Sequence, residues 1–174
     1  MTKWTLGVPM DIARFDTRRY ETLPAREGYA EWAATYEDTV LDLMDLRLLD
    51  RLASVHWADA RVADLACGTG RIGVWLRQRG VAAIDGIDLT PEMLEGARAK
   101  GVYRTLRQGD VGETGLESGA YDVVTASLVD EHLPDLRPMY REAARIVRPG
   151  GCFVLVGYHP WFMINGTPTH FDRA

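Results

Sequence analysis

Lysine is almost missing from this chain. Lys3 and Lys100 are the only two, and arginine supplies the rest of the 20 basic residues. That skew reads as codon bias, not as a phosphate-binding device. Acidic residues outnumber basic ones, for a formal charge of -5, so nothing pulls the surface toward nucleic acid or an anionic membrane. Cysteine is scarce as well. Cys67 and Cys152 cannot build a disulfide framework. One should end a strand and the other begin one, at opposite edges of a parallel sheet and too far apart to pair. No apolar run approaches the ~20 residues of a membrane span, and Met1 to Met10 carry no signal-peptide pattern. There is no internal repeat and no low-complexity stretch. The expectation is a cytoplasmic monomer or homodimer with a small-molecule partner, without nucleic acid, membrane or metal.

What is present is one domain's worth of chain, 174 residues of which 47% are hydrophobic, enough to bury a core. Residues 1–28 carry Pro9 and Pro24 and read as an irregular arm with a short helical piece. Residues 29–57 contain no Gly or Pro. There Val40, Leu41, Met44, Leu48, Leu52 and Val55 recur at helical spacing, which predicts one long or two shorter amphipathic helices. Residues 58–159 then alternate strand with helix, and 160–174 form a short tail. Arg61 to Cys67 is a strand, Gly70 to Gln78 a helix, Val81 to Ile87 a strand. Thr90-Pro91 caps and opens a helix that Gly101 closes. Tyr103 to Arg107 is a short strand, Gly109 to Gly119 a loop, and Tyr121 to Ser127 an apolar strand of the buried parallel type. A helix from Asp135 to Arg148 is stopped by Pro149-Gly150-Gly151, and Cys152 to Val156 is a fifth strand. Strands alternating with helices predict an α/β, doubly wound, mostly parallel Rossmann-like sheet with helices on both faces and further helices at the N-terminus.

The chemistry is concentrated in Asp64-Leu65-Ala66-Cys67-Gly68-Thr69-Gly70, an apolar strand running into a glycine-rich turn. Glycines there let a ligand lie against bare backbone at a helix N-terminus. Gly68-x-Gly70-x-x-Gly73 with Asp88 also matches the dinucleotide pattern, so an NAD(P)-binding oxidoreductase is an alternative. Asp64 argues against it, because a carboxylate there repels a pyrophosphate and welcomes an ammonium group.

The chain resembles the class I, Rossmann-like S-adenosylmethionine-dependent methyltransferases of the small-molecule type. Asp64 to Gly70 matches that family's first motif and Gly86-Ile87-Asp88-Leu89-Thr90-Pro91-Glu92-Met93-Leu94 its second. Gln108-Gly109-Asp110-Val111 resembles the third, Tyr121-Asp122-Val123-Val124 the fourth strand, and Arg148-Pro149-Gly150-Gly151 the lead into the fifth. The match runs from about Tyr29 to Tyr158, in order and at the right spacing. The family's C-terminal strand hairpin has no counterpart after Tyr158, which leaves open a catalytically inactive S-adenosylmethionine-binding module.

The resemblance implies a role for each residue. Asp64 would hold the donor's amino group, directly or through water. Ala66, Gly68 and Gly70 would form the turn against which its methionyl and ribose portions lie. Asp88 would accept from the ribose hydroxyls, Asp110 from the adenine amino group, and Val111 N–H would donate to the ring. Leu89 and Met93 would sandwich the adenine, and Ser127 and Leu128 would border the sulfonium. Tyr36, with Tyr29 and Trp32, looks like part of an aromatic lid. The acceptor, attacked at O, N or C, is less legible. His132 is the candidate base, with Asp130 or Glu131 next. Tyr158, His159, Trp161 and Phe162 are candidates for an acceptor pocket. Gly73 reads as a packing glycine, Asp122 as structural, and Asp85 as solvated or at an edge. The loop after the fourth strand lacks the signature of methyltransferases that modify nucleobase amines.

Overall fold

The computed structural model describes residues 21–39, 44–159, 161 and 171–173. Lys3, Pro9, Val40, Leu41 and Phe162 therefore lie outside the described residues. Five strands form one parallel sheet: β2 (Arg61–Leu65), β3 (Ala83–Asp88), β4 (Thr105–Gln108), β5 (Tyr121–Ser127) and β6 (Val147–Val156), in the order β4-β3-β2-β5-β6. The chain builds outward from β2 through β3 to β4, then crosses back to β5. The switch between β2 and β5 opens a crevice at their carboxyl ends, the place where open α/β sheets bind ligands.

Helices α4 (Arg71–Gln78), α5 (Pro91–Lys100) and α6 (Arg137–Ile146) make the crossovers. Ile72, Trp75 and Leu76 of α4 pack with Val62, Ile84 and Val123 on one face of the sheet. Met139, Ala143 and Ile146 of α6 pack with Leu65, Ile87 and Val124 on the other. Pro91 follows Thr90 at the start of α5, and Gly101 ends it in the left-handed conformation. Asp122 is structural, as its place before an apolar strand suggests. Its carboxylate accepts from the Arg61 N–H at 2.7 Å and from the Arg148 guanidinium at 2.6 Å. Cys67 and Cys152 are both free.

The structure corrects several expectations. The helix predicted to reach Arg148 stops at Ile146, and Val147 already pairs with Tyr121. Pro149 disfavours helical backbone at the residue before it, so Arg148 to Gly151 enter β6 as an irregularity in its register with β5. Among the described residues, 29–57 hold most of α1 (Ala25–Trp32, which begins ahead of Tyr29), α2 (Tyr36–Thr39) and α3 (Met44–Leu49). The inner face of α3 is also rotated from the expected one. Met44 and Leu48 are 59% and 48% exposed, while Asp45 and Leu49 are buried and Leu52 and Val55 pack on the core. Asp45 turns inward because Arg71 and Ser127 wait there, and 45 and 49 share one face at helical spacing.

The arm, predicted to be irregular, pairs with the tail in an antiparallel ribbon of β1 (Glu21–Leu23) and β7 (Phe171–Arg173). Asp85, finally, is neither solvated nor at an edge: it lies inside β3 facing Tyr121. It accepts from Arg104, from the Thr105 hydroxyl at 2.7 Å and from the Tyr121 hydroxyl at 2.8 Å. Burial pushes its carboxyl up, but these donors, Arg104 foremost, outweigh burial and hold it below its usual range.

Candidate active site

A cleft of about 570 Å³, open mouth included, sits over the carboxyl ends of β2, β3 and β5. Of the residues singled out from sequence, Tyr36, Ala66, Gly68, Asp88, Met93, Ser127, Leu128 and His132 line it. Tyr29, named from sequence beside Tyr36, lines it too, as do Thr69 and Arg71. Asp64, Gly70, Leu89, Asp110 and Val111 are not in its lining, nor are Tyr158, His159 and Trp161.

The turn after β2 is built from left-handed residues: Ala66 at φ +55°, Gly68 at +53° and Gly70 at +87°. At Gly68 the conformation is what requires glycine, since an added Cβ would meet only Met93 Cε at an ordinary 3.4 Å. Ala66 and, across the cleft, Leu128 (φ +55°) are not glycine yet share this region. Such strain costs of order 1 kcal/mol or more and persists where the surroundings over-determine the backbone, often at functional sites. Gly73 does not face the cleft. A Cβ there would overlap the Tyr103 ring, so the third glycine of the dinucleotide pattern serves packing.

Asp88 ends β3 and is 8% exposed. Its Oδ2 accepts the Gly68 N–H at 2.8 Å and its Oδ1 the Thr90 N–H at 2.8 Å. One carboxylate thus ties the turn to the cap of α5. Burial pushes its pKa up, against the pull of both N–H groups. Asp88 also lines the cleft, where its carboxylate can meet a ligand's hydroxyl groups. Asp64 sits deeper, 1% exposed. Its oxygens accept from the Tyr103 hydroxyl at 2.7 Å and the Thr125 hydroxyl at 2.9 Å. Burial outweighs these bonds and lifts its pKa to about 6.

Met93 is buried beside Gly68. Leu89 is exposed, and its carbonyl accepts from the Gln108 side chain at 3.2 Å. Asp110 is exposed and uses Oδ1 to accept the Gly112 N–H at 2.7 Å, while Val111 is buried in the core.

Sequence reasoning missed Arg71. Its guanidinium grips Asp45 through two hydrogen bonds, 2.8 and 2.6 Å, and the Ser127 hydroxyl donates to the same carboxylate at 3.1 Å. This joins α3, α4 and β5 at the cleft wall. The missed signal is electrostatic: an arginine in the first turn of a helix opposes the helix dipole, so something else must hold it. A second link fastens the lid. The Thr69 hydroxyl donates to Glu37 of α2, and Lys100 Nζ reaches the same oxygen at 2.6 Å.

The opposite wall is aromatic. The Tyr29 hydroxyl lies 3.0 Å from His132 Nε2. The Phe171 ring stacks on His132 at 5.9 Å and meets Tyr29 edge-on at 4.7 Å. Tyr36 is 6.3 Å from Tyr29, and Trp32 is 4.8 Å from Tyr36. Burial pushes the His132 imidazole below its usual pKa, although the Asp130 charge opposes this. His132 is therefore neutral near pH 7 and able to take a proton.

These features fit S-adenosylmethionine. Left-handed backbone exposes a bare turn to the ligand, and Asp88 and Arg71 line the cleft beside it.

Comparison with known proteins agrees. A family model described as a methyltransferase domain matches residues 63–155. The ubiquinone biosynthesis O-methyltransferase of Xanthomonas oryzae pv. oryzae is 33% identical over 129 residues, covering 70% of this chain and 50% of that protein. Its namesake in Neisseria meningitidis is 33% identical over 121 residues, covering 65% and 50%. The chain spans about half the length of these curated relatives. Among solved structures, an S-adenosylmethionine-dependent methyltransferase from Mesorhizobium loti superposes with a TM-score of 0.60 at 29% identity, covering 72% of this chain and 57% of that one. A DhpI–SAH complex superposes at 0.63 and 25%, covering 77% and 69%. With a methyltransferase model matching more than half of the chain and a relative 33% identical over 70% of it, the chain belongs to the class I S-adenosylmethionine-dependent methyltransferases.

Proposed function

We propose that this chain transfers the methyl group of S-adenosylmethionine to the oxygen of a small hydroxylated molecule. The observation that carries this reading is the Tyr29–His132 pair, 3.0 Å apart, in the same cleft as Asp88 and the glycine turn. A nucleophile that keeps its proton until reaction, as a hydroxyl does, needs such a base. The relatives named O-methyltransferases support it.

The bound donor supplies a methyl group already activated on a cationic sulfur. The chain contributes alignment and the exclusion of water. Asp88, in the cleft lining, accepts from the ribose hydroxyls. Ala66, Gly68 and Gly70 shape the turn along the methionyl end. Asp64, ionised at pH 7, favours the ammonium from beneath the turn, and Arg71 takes the carboxylate. Ser127 and Leu128 border the sulfonium, and Tyr36 covers it from the lid. Met93 with Leu89, Asp110 and Val111, at the carboxyl ends of β3 and β4, receive the adenine. His132 takes the acceptor's proton. The net charge of -5 favours a small acceptor over nucleic acid, and two free cysteines suit a reducing cytoplasm.

The test is methyl transfer to catechol compared with aniline, with His132→Gln beside the native chain. Transfer to catechol, lost in the variant, is expected. Transfer to aniline that His132→Gln leaves intact would overturn the oxygen assignment. Donor binding with no transfer to any acceptor would mark a donor-binding module instead.

A further inference from the structure

We propose that the acceptor's proton leaves through a relay of three side chains, Tyr29 to His132 backed by Glu131, so that lid helix α1 supplies the group that touches the acceptor. This rests on His132 being the base. The Tyr29 hydroxyl already lies 3.0 Å from His132 Nε2, and both residues line the cleft. An acceptor hydroxyl therefore meets that nitrogen through the phenol. Burial, with Tyr36, Glu131, Asp88 and Tyr158 adding to it, holds the phenol well above its usual pKa. Tyr29 stays protonated, donates to Nε2, and keeps its oxygen lone pairs for the incoming hydroxyl.

The step balances. The acceptor's proton moves to Tyr29 Oη as the Tyr29 proton moves to His132 Nε2. The acceptor oxygen's electron pair forms the new bond to the methyl carbon. The carbon–sulfur bond breaks, its pair stays on sulfur, and the donor leaves as a neutral thioether. Tyr29 is restored and His132 is left as an imidazolium, which later releases its proton to solvent.

Glu131 is placed to hold that charge as a positioning residue. Its side chain is 5% exposed and its Oε1 is 3.8 Å from His132 Nε2. Among the described residues, Glu131 Oε2 and Asp130 Oδ1 are buried and meet no hydrogen-bond donor. An unmet buried carboxylate oxygen is costly, and the cost is offset when a cation forms beside it in each turnover. Asp130 is held in place against Gly157, where a Cβ would overlap its carboxylate. Burial, then the Asp130 carboxyl, lift Glu131 to about 7. The groups that face His132 are Tyr29 from α1, Phe171 from β7, and Asp130 and Glu131 from its own turn.

The experiment pairs kinetics on catechol with an NMR titration of the His132 ring in donor-free protein, and S-adenosylhomocysteine binding verifies that each variant is folded. Tyr29→Phe should lower kcat about 100-fold or more with the donor Kd unchanged. Glu131→Gln should lower kcat with little change in KM. It should also remove the inflection near pH 7 from the rate profile and from the His132 resonance, because Glu131 carries its charge beside the imidazolium only above that pH. In the native chain the His132 resonance should show a second inflection near pH 7 as Glu131 ionises. A single inflection overturns the relay without any variant or acceptor. Full activity in Tyr29→Phe, or an inflection near pH 7 that survives Glu131→Gln, overturns it too. If His132→Gln is inactive in that case, the base reading stands without the relay. If His132→Gln is fully active, the base reading itself falls.

Discussion

The glycine turn and Asp88 are tied together by bonds within one βαβ unit, whereas the aromatic wall facing them is held by side chains from distant parts of the chain. On the donor side, Asp88 accepts from Thr90 two residues on and from Gly68 on the adjoining strand end. On the acceptor side, Tyr29 meets His132 across 103 positions, and Phe171 closes on both from the far end of the chain. The first wall is set by local backbone geometry and should bind donor even when the second is damaged. The second depends on a lid fastened by a few polar links and on the β1–β7 ribbon.

The largest expected effect tests that independence. His132→Gln should cut kcat by about 10²–10⁴-fold and leave the calorimetric affinity for S-adenosylhomocysteine unchanged. An equal loss in both quantities would mean that the two walls act as one.

Asp64 gives the next effect, on stability. Its folded pKa of about 6 lies above the roughly 3.9 of an unfolded aspartate. Its contribution is therefore fully present below pH 4 and lost as pH rises through 6. Relative to Asp64→Asn, the native chain should lose up to about 3 kcal/mol of unfolding free energy between pH 4 and 7. Urea titrations at several pH values measure this, and parallel curves would show that Tyr103 and Thr125 compensate its burial.

Much of the donor wall was legible in sequence because its signals are local. A strand, a glycine turn and an acid ending the next strand all fall within Asp64 to Met93, and their spacing carries the geometry. Ala66 and Leu128 were not legible as strained positions, since no glycine advertises a left-handed backbone there. The inward turn of Asp45 was hidden for another reason. The apolar residues of α3 suggest one face, and only the partner on α4 reveals that a buried ion pair sets another. Phe171 and the β1–β7 ribbon depend on contacts between the two ends of the chain, for which hydrophobic periodicity offers no sign. Arg148-Pro149-Gly150-Gly151 read as a helix stop, yet the helix ends earlier and the segment joins the strand.

Two smaller effects sharpen the contrast. Gly73→Ala forces a Cβ into the Tyr103 ring and should cost about 1–3 kcal/mol of stability by overpacking. Thermal melts would show this, with the donor affinity of the folded fraction retained. Glu37→Gln weakens the link from the lid to Thr69 and Lys100. Because Glu37 is half exposed, the expected change is under about 1 kcal/mol. It should be visible as faster dissociation of S-adenosylhomocysteine in stopped flow, with native and variant converging at high salt.

The most direct test of the donor cleft is calorimetric titration of S-adenosylhomocysteine into the native chain and into Asp88→Ala. One site per chain is expected, weakened in the variant by about 1.5–3 kcal/mol, the scale of hydrogen bonds to a charged group. Equal affinity in a folded Asp88→Ala protein, or tight binding of NAD in place of S-adenosylhomocysteine, would contradict the account.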